Sequence, residues 1–192
     1  MMMLPRLLLT TLLTLACAGY AAPVTYKIDP DHTFPSFEAD HMGISIWRGK
    51  LNRSAGMVTL DKAAGSGTLE VSTELASIDF GQEALNRWAS GKDFFDARKH
   101  PKALYKGRLD AFKDGVPTQV VGELTLHGVT KPVPLTINSF KCMPHPMLKR
   151  EWCGADASAS FNRDDFGLDA GKDWGFRMDV LLRIQVEAVA AE

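Results

Sequence analysis

Met178-Asp179-Val180-Leu181-Leu182-Arg183-Ile184-Gln185-Val186-Glu187-Ala188 is the stretch that decides the fold class. In an extended chain Met178, Val180, Leu182, Ile184, Val186 and Ala188 fall on one side, while Asp179, Arg183, Gln185 and Glu187 fall on the other. Period two marks a strand with one buried and one wet face. The run is long enough to cross a whole barrel wall.

The same alternation recurs upstream. Leu69, Val71 and Thr73 alternate with Thr68, Glu70, Ser72 and Glu74; Ala103, Tyr105, Gly107 and Leu109 alternate with Lys106, Arg108 and Asp110. Asp114-Gly115 then marks a hairpin turn. Beyond it Val120, Gly122, Leu124 and Leu126 take one face, and Pro132 to Phe140 forms a further strand around Leu135 and Ile137. Ser36 to His41, Ile44 to Asn52, Ala55 to Asp61 and Ala155 to Arg163 complete the set. Gln82 to Ser90 alone reads as helix, with Ala84, Leu85 and Trp88 at helical spacing before Gly91 stops it. This predicts an all-β antiparallel fold of seven to nine strands with one or two short helices. Periodicity leaves sandwich and closed barrel both open.

Residues 1–21 read as a cleavable secretory signal: Arg6 precedes the apolar run Leu7 to Ala18, too short to span a bilayer, and cleavage after Ala21 satisfies the small-residue rule. Thr14-Leu15-Ala16-Cys17 does not form a lipobox. The folding unit is then residues 22–192, one domain, expected in the periplasm. Losing Arg6 from the 22 Lys/Arg that stand against 23 Asp/Glu leaves it two charges acidic. With no basic run either, a nucleic-acid partner is excluded.

Tyr26-Lys27-Ile28-Asp29 with His32, Phe37 and His41, then Met42-Gly43-Ile44-Ser45 and Gly49, resembles the opening of the YceI family. Ser77-Ile78-Asp79, Asp93-Phe94-Phe95-Asp96 with His100-Pro101, Gly122 through Thr130, and Arg163-Asp164-Asp165-Phe166-Gly167 follow in the family's order, so the resemblance covers nearly the whole mature chain. It implies a lipocalin-like antiparallel β-barrel of about eight strands, often dimeric and often periplasmic, holding an isoprenoid or other long-chain lipid such as a quinone in its lumen. It brings no catalytic residues. The chain departs from the family pattern at Arg87 to Lys92 and in the insert from Cys142 to Cys153.

The residues expected to line such a lumen are Phe37, Ile44, Trp47, Phe80, Trp88, Phe94, Phe95, Tyr105, Leu124, Leu126, Phe161, Phe166 and Trp174. Phe94 and Phe95 are adjacent, so in an extended chain only one of them faces inward. Arg163, Lys92 or His41 would serve a head group at the mouth. His32, His41 and His127 read as hydrogen-bonding residues at strand ends, and Asp93 and Asp96 as turn residues. No Gly-x-Ser-x-Gly, His-Glu-x-x-His, phosphate loop or haem-attachment motif is present, so an enzyme is not expected. The expected partner is the lipid itself, with a homodimer and a transient membrane contact left open.

Export to an oxidising compartment predicts a Cys142–Cys153 disulfide. The competing expectation is a soft metal site, with Met143, His145 and Met147 presented on one side of an extended loop and both cysteines reduced, suited to Cu(I) in a copper or redox protein.

Overall fold

The computed structural model describes residues 22–192; the signal expected over 1–21 lies outside them. The chain runs β1 (Val24–Ile28), β2 (Phe34–His41), β3 (Ser45–Leu51), β4 (Ser54–Asp61), β5 (Ser66–Glu74), β6 (Ile78–Asp79), α1 (Glu83–Ser90), β7 (Lys102–Asp110), β8 (Gln119–Leu126), β9 (Val129–Pro132), β10 (Leu135–Pro144), β11 (Glu151–Asn162) and β12 (Asp179–Ala190). Short 3-10 turns occupy Leu75–Ser77, Arg163–Phe166 and Lys172–Trp174.

Closure is a matter of who pairs with β12. Neighbouring strands follow the order β1-β4-β5-β7-β8-β10-β11-β12, and β12 pairs back onto β1, so the sheet has no free edge around this circuit. Tyr26 to Ile28 of β1 pair with the C-terminal end of β12, and Phe34 to Ala39 of β2 with its N-terminal half. β1 and β2 thus share one stave, as β3 and β4 share the next, giving a closed antiparallel barrel of eight staves. The alternation in Met178–Ala188 is the reason β12 sits at the join: it is paired to β11 from Asn162↔Asp179 to Trp152↔Val189, without a slip.

The wall is uneven. β8 and β10 share two residue pairs, Leu135↔Val120 and Thr136↔Gln119, supplemented by bonds from Val133 N to Gly122 O (3.0 Å) and Ile137 N to Thr118 O (2.9 Å). Here β8 turns away instead to pair with β9. The β7–β8 connection follows its sequence: Asp114 and Gly115 both take positive φ, 51° and 76°, the requirement of a tight hairpin turn.

α1 starts one residue later than the spacing predicts, because Gln82 is its cap: the side-chain oxygen accepts from Leu85 N. Strand assignments differ more: Val129–Pro132 is a separate strand, β9, so the strand expected from Pro132 begins at Leu135. β1 was not anticipated, since Val24–Ile28 is too short for periodicity to register. The segment expected as an insert extends β10 and β11 into a longer hairpin, with Cys142 opposite Cys153 and Pro144 opposite Glu151.

Candidate functional site

The inward faces of the staves enclose one elongated apolar lumen. β5 contributes Leu69 and Val71; β7 contributes Ala103, Tyr105 and Leu109; β8 contributes Val120, Leu124 and Leu126; β12 contributes Val180, Leu182, Ile184, Val186 and Ala188. All are the members of alternating runs that the sequence assigns to one face. The cavity measures about 310 Å³, at the lower end of small-molecule sites.

Its two ends differ. At one end Tyr26, 2 % exposed, forms a plug; its hydroxyl donates to Glu151, whose other oxygen accepts from Lys62. Burial, with Glu151 adding to it, pushes the Tyr26 phenol well above its usual range. At the other end the wall is aromatic. Phe37 and Phe80 meet edge-on at 5.2 Å, Trp47 stacks on His41 at 4.1 Å, and Phe176 lies edge-on to both. Trp88 of α1 stacks on Phe94 at 5.1 Å and is the most exposed of the lining residues, 42 %, so the lumen meets solvent beside α1. Asn86 of the same helix fixes it there by accepting from Phe80 N at 2.7 Å.

The hydroxyl and charged groups that face this space are already engaged. Thr33 Oγ1 donates to Glu187 O and accepts from Glu187 N; Thr73 bonds Ser54 at 3.1 Å; Tyr105 donates to Val133 O at 2.8 Å. The charged lining residues among those described are Asp40 and Arg163. Asp40 accepts from Arg177 N and Gly43 N, which hold its carboxyl below the usual range. Arg163, 7 % exposed, spends its guanidinium on the carbonyls of Leu168 and Ala170, and desolvation lowers its pKa. The lumen therefore offers hydrocarbon contact and almost no unspent hydrogen bonding.

Of the residues expected to line the lumen, Phe37, Trp47, Phe80, Trp88, Phe94, Phe95, Tyr105, Leu124, Leu126 and Phe161 do so. Phe94 and Phe95 both face it, correcting the expectation that one must turn away: they lie in a turn after α1, not in a strand, with rings 4.8 Å apart. Three residues do not line it. Ile44 is 79 % exposed at the tip of the β2–β3 hairpin, and Trp174 is 74 % exposed in the 172–174 turn. Phe166 is buried behind the wall, edge-on to Phe161.

Of the head-group candidates, Arg163 reaches the lumen while Lys92 is exposed and His41 is covered by Trp47. His32 Nδ1 pairs with Asp29 at 2.8 Å and His127 Nδ1 with Phe166 O at 3.1 Å. Asp96 takes positive φ (44°) in the turn before β7.

Sequence reasoning missed Phe140, Phe176 and Tyr26 as wall residues. Phe140 is in the wall because a bulge between Ile137 and Ser139 shifts the phase of β10, turning even-numbered residues inward. Nothing periodic announces Phe176 in a glycine-flanked loop.

Cys142 and Cys153 are joined as a disulfide. The extended Met143-His145-Met147 face that copper would require is not formed. After Pro144 the chain turns, His145 Nδ1 accepts from Met147 N and Leu148 N, and Met147 projects 81 % exposed.

Residues 26–188 match the YceI-like domain family. A UPF0312 protein of Pectobacterium atrosepticum is 33 % identical over 185 residues, covering 94 % of each chain. The fold is similar to that of BcnA from Burkholderia cenocepacia, with a TM-score of 0.67 at 22 % identity over 84 % of this chain and 99 % of that one. It is also similar to a polyisoprenoid binding domain from Saccharophagus degradans, with a TM-score of 0.62 at 16 % identity over 88 % and 99 % of the two chains.

Proposed function

Since the chain belongs to the YceI-like domain family, we propose that it is a periplasmic carrier that holds one long-chain lipid, a polyisoprenoid or an isoprenoid quinone, in the barrel lumen. The observation that carries the proposal is the lumen itself: a continuous apolar cavity, plugged by Tyr26, opening beside Trp88, with its hydroxyl and charged groups already engaged. Removing each five-carbon unit of a prenyl tail from water is worth on the order of 3 kcal/mol gross. A binding domain of this fold from Saccharophagus degradans is described as polyisoprenoid-binding. The disulfide and the leader-like residues 1–21 support an oxidising, extracytoplasmic site of action. The carrier performs no chemistry in this reading.

Mass spectrometry of an organic extract of protein isolated at native expression tests this. A stoichiometric long-chain prenyl lipid is expected. Recovery of nothing lipidic above a control periplasmic protein would overturn it.

A further inference from the structure

We propose that the rim of the barrel mouth docks on the interfacial layer of a phospholipid bilayer. The purpose of the contact rests on the lipid-carrier reading; the contact itself is argued separately, from the rim.

Two segments project past the aromatic mouth, the β2–β3 hairpin tip and the 172–177 turn. They are tied together. Arg177 bonds Asp40 through its backbone N (3.2 Å) and pairs with it through Nε (3.5 Å), and Phe176 sits edge-on to His41 at 5.0 Å. Asp40, Met42, Ile44, Ile46, Gly175 and Arg177 share one shallow depression, and Asp40 and Phe176 also line the lumen, so this surface is continuous with the mouth. On it Ile44 is 79 %, Met42 47 % and Ile46 39 % exposed, and Trp174, next in the chain to its Gly175, is 74 % exposed. Large apolar side chains gathered this way mark an interaction surface. A tryptophan beside aliphatic side chains suits the bilayer interface, where an indole keeps its N–H wet and its ring dry.

The charges choose between kinds of bilayer contact. Lys172 is paired with Asp164 at 2.7 Å, Arg177 with Asp40 and Asp179, and Asp173 lies alongside, so the rim carries no cationic excess. Docking is therefore apolar: zwitterionic vesicles suffice, and salt changes little. A ligand insoluble in water has to be collected from such a layer, and the mouth is already seated at it.

The plugged end supplies an internal control, since Met147 (81 %) and Leu148 (48 %) are equally bare there but open onto nothing. The mature protein is co-sedimented with phosphatidylcholine vesicles at low and high salt. Ile44→Asp and Trp174→Ser are each expected to weaken vesicle partitioning by about tenfold, and Met147→Asp to leave it unchanged. Binding of farnesol added from solution should survive in all three variants, because neither Ile44 nor Trp174 lines the lumen. Undiminished vesicle binding by the rim variants overturns the proposal, as does a wild-type dimer that these substitutions dissociate while vesicles are ignored. If wild-type protein binds vesicles but no prenyl compound, the carrier reading fails and the docking surface stands.

Discussion

Gly122→Ala sets two effects of opposite sign against each other. Gly122 is not in the left-handed region, so an alanine fits its backbone and, by restricting the unfolded chain, would stabilise by about 0.4–1 kcal/mol. Against this, a Cβ built on Gly122 would lie 2.6 Å from the Tyr105 hydroxyl, 2.7 Å from its Cζ and 2.7 Å from the Lys106 carbonyl. Tyr105 lies over this glycine to reach Val133 O, beside the thinnest join in the wall. Overpacking of this kind costs about 1–3 kcal/mol, and a displaced Tyr105 leaves the buried Val133 carbonyl short of a partner at about 1 kcal/mol or more. The net is a loss of roughly 2 kcal/mol, or about 4–8 °C in Tm for a chain of this size. Urea denaturation of wild type, Gly122→Ala, Tyr105→Ala and the double variant measures it. The alanine should lose the part of its cost that Tyr105 imposes once Tyr105 is gone and keep the part set by the Lys106 carbonyl. A Gly122→Ala protein as stable as wild type, or more so, refutes the argument that the glycine exists to seat Tyr105.

Four further outcomes follow from other parts of the structure. Replacing Cys142 and Cys153 together by alanine should lower stability by about 2–3 kcal/mol, and thiol titration of denatured wild type should find no free thiol before reductant. Tyr26 and Tyr105 are the tyrosines of the 22–192 chain, and burial raises both above the ordinary phenol value. Their protonated forms stabilise the fold fully below about pH 10, so tyrosinate absorbance should appear only as alkaline unfolding begins. Tyr26→Phe removes the donor to Glu151 and should cost about 1–2 kcal/mol in urea denaturation. Asp29, through its hydrogen bond and charge, raises the His32 pKa, while the bonds from His32 and Asp31 N outweigh burial and hold Asp29 low. The pair's contribution is fully present below the unfolded His value and fades as pH rises through the raised one; it fades again as pH falls through the lowered Asp29 value. An NMR titration of His32 should give a midpoint above about 6.5, returning toward it in Asp29→Asn.

The strands that decide the fold were legible because their surroundings are one-sided. β12, β8 and β7 each have lumen behind and water in front, so their sequences alternate cleanly. Where that condition lapses, the reading lapses with it. β10 shifts phase at its bulge, which placed Phe140 out of view. For Phe94 and Phe95 adjacency sends one ring outward only in an extended chain, whereas a turn carries both inward. Ile44 and Trp174 entered the expected lumen on hydrophobicity alone, and hydrophobicity does not distinguish a lumen from its rim. Barrel closure itself depends on β1 and β2 sharing β12, a long-range pairing that no local pattern records.

The engagement of the lumen's hydroxyl and charged groups also has a thermodynamic side. Water in a lumen of about 310 Å³ finds few protein partners there, so it is bonded less well than in bulk. Apolar cargo that replaces this water is favoured by about 25 cal/mol for each Å² of apolar surface it covers. Cargo is then part of the fold's own energetics. Preparations that differ in what they carry are different thermodynamic species, and a melting temperature measured on one describes that species alone.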